Sequence, residues 1–340
     1  MKPECHSGWL RGKEHHNGSG GIGRILLYLL VLVLLLELVS QGFVNLSAWE
    51  DRLGFRTRDS VYTDLGGLDR DSIDVLVLGD SEAFTSFSPL QAFSQSGTAA
   101  YVAGMYGENC AELYRVFREA LQRQHPKVVL VETHSLYEAV SEEDEERKTL
   151  LEGLKNLFPV FRFHNLWQHA FERPGKENRT YRGFRIMTSV RRPKDLYTYM
   201  KPDRDLEEFP PPGGKLLRKM AGICDRKGIH LVMYSAPSPK NYSMRRHNAL
   251  AAAAGELGIP YLDLNLEISA VGIDWNRDCL DGGDHLNISG AARTTSYLQS
   301  FLSRFSLPDR RSDPDYASWQ TEAQQYEEIA SKYIDKIRAA

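Results

Sequence analysis

The sequence predicts an α/β fold: a three-layer α/β/α sandwich on a mostly parallel sheet, preceded by one N-terminal transmembrane helix. Three observations predict it. Short apolar runs rich in valine and leucine recur between residues 73 and 264, amphipathic stretches of helical length separate them, and one long apolar run lies near the start. Strands buried on both faces read as continuous apolar runs, and strand–helix alternation points to parallel crossovers. The 340 residues, 42% hydrophobic and 26% charged, suffice for one large domain or two small ones with a full core.

The long apolar run comes first. Ile25 to Leu36 are twelve apolar residues in succession, and Leu38 to Val44 continue more weakly after Glu37. Residues 25–44, at about 1.5 Å each, are long enough to cross the roughly 30 Å of bilayer hydrocarbon. A cleaved signal peptide is the competing reading. Val39-Ser40-Gln41-Gly42 lacks a small-x-small cleavage pattern, which favours an uncleaved anchor. Lys2, Arg11, Lys13 and Arg24 precede the span and Arg52, Arg56 and Arg58 follow it. That bias, with Arg24 abutting the span, places the tail in the cytoplasm and the domain outside a cell membrane crossed once. Glu37 is expensive in lipid and is expected near the outer interface or against a membrane partner. Gly18 to Gly23 spell GxGxxG, but no strand precedes them and a span follows, so they read as a flexible tail. The expected organisation is a cytoplasmic tail over 1–24, the anchor over 25–44, a linker over 45–70, a catalytic domain over 71–309 and a polar helical tail over 310–340.

Within the domain, Asp74 to Leu78 read as a buried strand and Ala99 to Ala103 as a second. Glu108 to Gln124 place Leu113, Val116, Phe117, Ala120 and Leu121 on one helical face. Lys127 to Glu132 form the third strand. Residues 141–212 break the rhythm and end in Pro210-Pro211-Pro212, which suits an insertion over the sheet acting as a lid or recognition region. Helix 213–226, strand 228–234, helix 241–257, strand 259–264 and helix 287–305 complete the alternation.

Composition narrows the function. A net charge of −3 with both signs mixed along the chain excludes a general nucleic-acid binder. Of the four cysteines, Cys5 precedes the span and Cys110, Cys224 and Cys279 are left as an odd number, which suits buried free thiols rather than a disulfide framework. No Cys/His pair has zinc-ligand spacing, so no metal is expected.

Two segments carry chemistry. In Val77-Leu78-Gly79-Asp80-Ser81 a buried strand runs into Gly, Asp and Ser. Functional groups in open α/β sheets gather at the carboxyl ends of strands, so Ser81 stands where a nucleophile would, with Gly79 permitting the turn. Taken alone this is equally a capped strand-to-helix turn. The second segment, Asp281-Gly282-Gly283-Asp284-His285-Leu286-Asn287, supplies a base with carboxylates beside it just before the last helix. A serine hydroxyl needs such a base, and the base needs a carboxylate to orient it.

Together these segments resemble SGNH/GDSL hydrolases. Leu78 to Phe84 with Ser88-Pro89, Ala236 to Asn241, Arg246 to Ala249, Ile273-Asp274-Trp275 and the Asp281–Asn287 loop resemble a membrane-anchored bacterial branch. That branch is similar to the D-alanine-transfer protein of teichoic acid biosynthesis and to alginate O-acetylation proteins. The resemblance spans roughly residues 70 to 320. It implies a flavodoxin-like sheet, Ser81 as nucleophile and His285 as base. The family's acid stands three residues before the base, but Gly282 occupies that place, leaving Asp281 or Asp284. Asp281 is preferred because a carboxylate adjacent to the histidine points away from its ring. The family's oxyanion donors are the Ser backbone, a Gly backbone and an Asn side chain, implying Ser81, Gly104 or Gly107, and His134 at the Asn place. Asp80, Lys240, His247 and Asn248 are candidates for contacting an anionic or sugar substrate. The expected activity is ester hydrolysis or O-acyl transfer on a cell-envelope glycan or polymer. No cofactor is expected, and the expected partner is a membrane-bound O-acyltransferase. The alternative is a non-catalytic accessory protein of such a system.

Overall fold

The structure is a computed structural model describing residues 19–53, 58–138, 147, 150–151, 153–155, 157–163, 180–194 and 196–339. Helix α1 (Ser19–Leu53) carries the apolar run, and its stretch Ile22–Leu46 is long and apolar enough to cross a membrane. The chain is therefore already helical at Ser19, where a flexible tail was expected. The apolar run pays the nucleation cost of the helix, which then extends through the small residues before it. Gly18 and Cys5 lie outside the described residues. The expected linker, 45–70, carries the end of α1 and helix α2 (Ser60–Gly67).

A five-stranded parallel sheet follows, formed by β1 (Val75–Gly79), β2 (Ala100–Gly104), β3 (Val128–Glu132), β6 (His230–Ser235) and β7 (Tyr261–Asp263). The order is β2-β1-β3-β6-β7, with all neighbours parallel. The chain leaves β1 for β2 on one side and returns to β3 on the other, so the carboxyl ends of β1 and β3 flank the switch point where such sheets hold ligands.

Alternating residues feed two layers. Leu76, Leu78, Val129, Val131, Leu231 and Met233 pack toward α2, α5 (Cys110–Arg123), α8 (Pro211–Lys227) and α9 (Met244–Leu257). Val75, Val77, Val128, Leu130, Val232 and Tyr234 pack toward α3 (Ser81–Ser86), α4 (Pro89–Ser96) and α11 (Ile288–Leu302). This is the three-layer α/β arrangement. Short helices α6 (His134–Tyr137), α7 (Val160–Phe163) and α10 (Ile268–Val271) fill connections. The hairpin β4 (Thr180–Tyr181)–β5 (Phe184–Arg185) lies within 141–212 and covers the open edge of β2, where Val102 N–H donates to Arg182 O at 3.0 Å.

The last helix, α12 (Ala317–Ala339), is more than a surface tail. Trp319, Ala323, Tyr326 and Ala330 are buried, and it packs on α4 and α11. Cys110, Cys224 and Cys279 are buried and form no disulfide among the described residues. Strand β6 starts two residues later than expected because Gly228 ends α8 in the left-handed conformation, φ +67°. Helix α9 starts at Met244, since residues 236–243 form a loop at the end of β6.

Candidate active site

Ser81 is placed by a turn that only glycine allows. Gly79 has φ +144°, and a Cβ there would lie 2.7 Å from Glu132 Cβ and 2.9 Å from Ala83 Cβ. Its partner across the sheet, Gly104, would put a Cβ 2.5 Å from the Gly79 carbonyl oxygen. Asp80 caps α3 by accepting the Glu82 N–H at 2.9 Å, which leaves Ser81 as the first helical residue.

The second segment is an ordered loop. Cys279 bridges Leu286, and Leu280 N–H donates to His285 O at 2.9 Å. Asn287 caps α11 through Ser289 and Gly290 N–H. From the β6 end, Ser238 Oγ donates to Gly283 O and Asp284 O at 3.1 and 2.9 Å. So held, Asp281 Oδ1 accepts the His285 N–H at 2.9 Å, Asp281 Oδ2 lies 2.6 Å from His285 Nδ1, and His285 Nε2 lies 2.7 Å from Ser81 Oγ. Asp284 does not meet the ring. Its oxygens accept from Asn241 Nδ2 and Lys240 Nζ, each at 2.6 Å.

Charges follow this geometry. Burial pushes His285 toward the neutral form, but the hydrogen bond to Asp281 and the charges of Asp281, Asp284 and Asp80 outweigh it and raise its pKa above 6.5. Burial would raise Asp281, yet the donors on His285 and Asp284 hold it below the usual carboxylate range. Asp284 is likewise lowered against burial, by Lys240, His285 and Asn241.

A second His–Asp pair involves Asp80, the residue before the serine. His134 Nδ1 lies 2.7 Å from Asp80 Oδ2, while its Nε2 is 3.7 Å from Glu138 Oε1, too far for a hydrogen bond. Burial opposes the charge on His134, but the bond to Asp80 and the charges of Glu82, Asp80 and Glu132 raise its pKa to about 10. It is an imidazolium at neutral pH.

Two buried acids complete the cluster. Glu132 accepts from Tyr242 OH at 2.7 Å, His134 N–H at 2.8 Å and Ala236 N–H at 3.2 Å. Glu82 accepts from Asn241 Nδ2 at 2.6 Å, and its other oxygen has no partner among the described residues. Both are raised above the usual carboxylate range, by burial first and by the neighbouring acids next.

Of the other expected site residues, Gly107 (φ +55°) lies in the loop after β2, its carbonyl accepting from Arg58 Nη2 at 3.2 Å. His247 and Asn248 are not brought to the site. His247 Nδ1 bonds Asp263 Oδ2 at 2.8 Å with its ring stacked on Tyr261, and Asn248 Nδ2 donates to the Asp203 and Asp205 carbonyls at 3.0 Å. The positions that do reach in, Asn241 and Tyr242, stand six residues earlier in the sequence, in the loop before α9. Asp281, Asp284 and His285 offer atoms within 4.8 Å of one another, a spacing a cation would suit. Those atoms are taken up by Ser81, Lys240, Asn241 and each other.

No protein-family model and no curated protein matches the chain. Solved structures match at 11% identity. One is a provisionally assigned acylhydrolase from Bacteroides fragilis, TM-score 0.41, covering 73% of this chain and 96% of that one. Another is described as a provisional platelet activating factor from Streptococcus pneumonia, TM-score 0.39, covering 75% and 96%. A third is a provisionally assigned GDSL-like lipase from Parabacteroides merdae, TM-score 0.36, covering 71% and 99%. Likeness of this degree says nothing of activity, and the chemistry of the site rests on its own geometry.

Proposed function

We propose that this chain is a membrane-anchored serine esterase or O-acyltransferase of the SGNH/GDSL kind, in the branch similar to teichoic acid D-alanine-transfer and alginate O-acetylation proteins. The observation that carries this reading is the continuous relay Asp281–His285–Ser81, with contacts of 2.6 and 2.7 Å. Its three members have the roles acyl transfer needs: an ionised acid fixing the ring, a base and a hydroxyl.

In the proposed reaction His285 Nε2 takes the Ser81 proton as Oγ attacks the ester carbonyl. The carbonyl π pair moves to oxygen, held by the N–H groups of Ser81 and Gly107, with Gly104 keeping β2 close to the turn. The Nε2–H of the His134 cation supplies a charged donor where the family has a neutral Asn. Collapse breaks the ester C–O bond, and the leaving alcohol takes the proton from His285. Water, or a hydroxyl of a cell-envelope glycan or polymer, then attacks the acyl-serine with His285 again accepting the proton; collapse breaks the acyl–Oγ bond, and His285 returns the proton to Ser81 Oγ. Lys240, beside Asp284, gives the rim a cation. Asp80 acts through His134 rather than on substrate.

In this reading α1 is a single-pass anchor with its N-terminus in the cytoplasm, residues 71–309 are the catalytic domain, and a membrane-bound O-acyltransferase supplies the acyl group. The test is acyl-enzyme trapping with p-nitrophenyl acetate. Acetyl-Ser81 in acid-quenched protein, released faster when a glycan acceptor is added than in water, is the expected result. Absence of the adduct in folded protein would instead leave the accessory role.

A further inference from the structure

The chain between β3 and the β4–β5 hairpin carries an exposed apolar stripe that the proposed reaction does not use. Leu150, Leu154 and Leu157 follow spacings of four and three, one face of a helix, and Phe161 follows in α7 after the break at Phe158-Pro159. Residues 150, 151, 153–155 and 157 are helical, and Phe158 N–H continues the ladder onto Leu154 O at 2.8 Å. Yet Leu150 and Leu157 are 67% and 63% exposed, and Leu151, Leu154 and Phe161 are exposed as well. Water-facing stripes of this kind mark contact with a partner or a membrane.

Where the stripe sits selects the partner. It runs directly into α7, and α7 packs on the apolar helix α1. Ser40, inside the stretch Ile22–Leu46, is fully buried there and accepts the Val160 N–H at 3.2 Å. Ser40 lies about 9 Å along the helix from the domain-side end of that stretch, at about 1.5 Å per residue. Glu37 and Gln41 pair at 3.0 Å one turn apart on the same side of α1. These polar groups place the contact at the level where hydrocarbon gives way to headgroups.

The same junction fixes which edge of the sheet faces the bilayer. Arg58, just beyond α1, donates to Tyr106 O at 2.7 Å and Gly107 O at 3.2 Å, and is held by both oxygens of Glu112. Asp59 reaches Arg162 of α7 at 3.8 Å, and the Arg162 guanidinium stacks 3.7 Å over Tyr62. Tyr106 and Gly107 lie at the carboxyl end of β2, the edge that holds Ser81 and His134, because all five strands run parallel.

The geometry points to a lipid bilayer as the surface that covers the Leu150–Phe161 stripe, so that α1 and this stripe together hold the Ser81 edge down on the membrane. The substrate class is then an acyl ester presented at the membrane surface rather than one free in solution. This rests on α1 being an anchor and on Ser81 being the reactive group.

The test uses the full chain in nanodiscs of phosphatidylethanolamine and phosphatidylglycerol with Cys5→Ser. Nitroxide labels are placed by Leu150→Cys and Leu157→Cys, and at two references: Leu30→Cys in the span and Tyr197→Cys, which is 83% exposed. Power saturation with oxygen and with a water-soluble nickel chelate reads depth. The expected result is an oxygen-to-nickel accessibility ratio at 150 and 157 several-fold above that at 197 and approaching that at 30. A ratio at both sites equal to that at 197 overturns the proposal, as does shielding from both reagents, which would mean that protein covers the stripe. If the label at 30 is itself wet, the anchor fails and the proposal with it. Fluorophosphonate labelling of Ser81 in the same samples reads the catalytic assignment separately.

Discussion

Two histidines each carry an aspartate on Nδ1, one bonded to Ser81 and the other to its neighbour Asp80, and their surroundings charge them differently. His285 pairs with Asp281 at 2.6 Å and turns Nε2 to the serine. His134 pairs with Asp80 at 2.7 Å among the carboxyls of Glu82 and Glu132, and its Nε2 has only a distant acid. The first is raised above 6.5 by its bond to Asp281 and the acids around it. The second is raised to about 10 and is a fixed cation. In the proposed reaction the same residue pair thus serves as a base or as a charged donor according to how many buried acids surround it.

The comparison breaks most sharply on the base side. His285→Ala or Asp281→Asn is expected to lower the rate of Ser81 acylation on the order of 10⁴-fold, as for other serine relays. Asp284→Asn, which leaves the ring contact intact, is expected to act far more weakly, and equal losses for the two aspartate variants would erase the distinction drawn between them. On the donor side, His134→Ala is expected to cost about 10²–10³-fold, the usual loss for one oxyanion donor. His134→Asn should restore part of that, measured as acylation rate at saturating ester.

pH separates the two histidines further. The acylation rate should rise with pH through a midpoint above 6.5, because His285 works as the neutral base and its pKa is raised. Stability should run the other way. The folded pKa of His134 is above its unfolded value, so its stabilising charge is fully present below about pH 6.5 and is lost as pH rises through about 10. Urea midpoints should fall over that window, and His134→Gln should flatten the fall. The smallest effect expected is from Glu82→Gln. Burial raises the Glu82 carboxyl well above its usual range, so a neutral amide there should leave the melting temperature near neutral pH almost unchanged, whereas Glu132→Gln disturbs a carboxyl group with three donors.

The base pair was legible in the sequence because each of its segments is local: a buried strand running into Gly-Asp-Ser, and a loop holding His and Asp together. The sheet strands were legible for the same reason, as runs of valine and leucine. The acid cluster was not. Glu82 and Glu132 look like surface residues until the sheet order sets β1 beside β3, although Glu132 closing Val128-Val129-Leu130-Val131 was a trace of burial. His247 and Asn248 were misplaced because the direction of α9 fixes which of its residues face the site, and periodicity does not give that direction. Helices α3 and α4 were missed since each is shorter than a helix that is stable alone. Tertiary bonds hold this region, such as Ser88 N–H to Thr295 Oγ1 at 2.8 Å.

The most direct test is reaction of the full chain with a fluorophosphonate, followed by peptide mapping. A single adduct on Ser81, abolished in His285→Ala and retained in His134→Asn, is the predicted result. An unmodified Ser81 in folded wild-type protein, or an adduct that persists without His285, would contradict the relay.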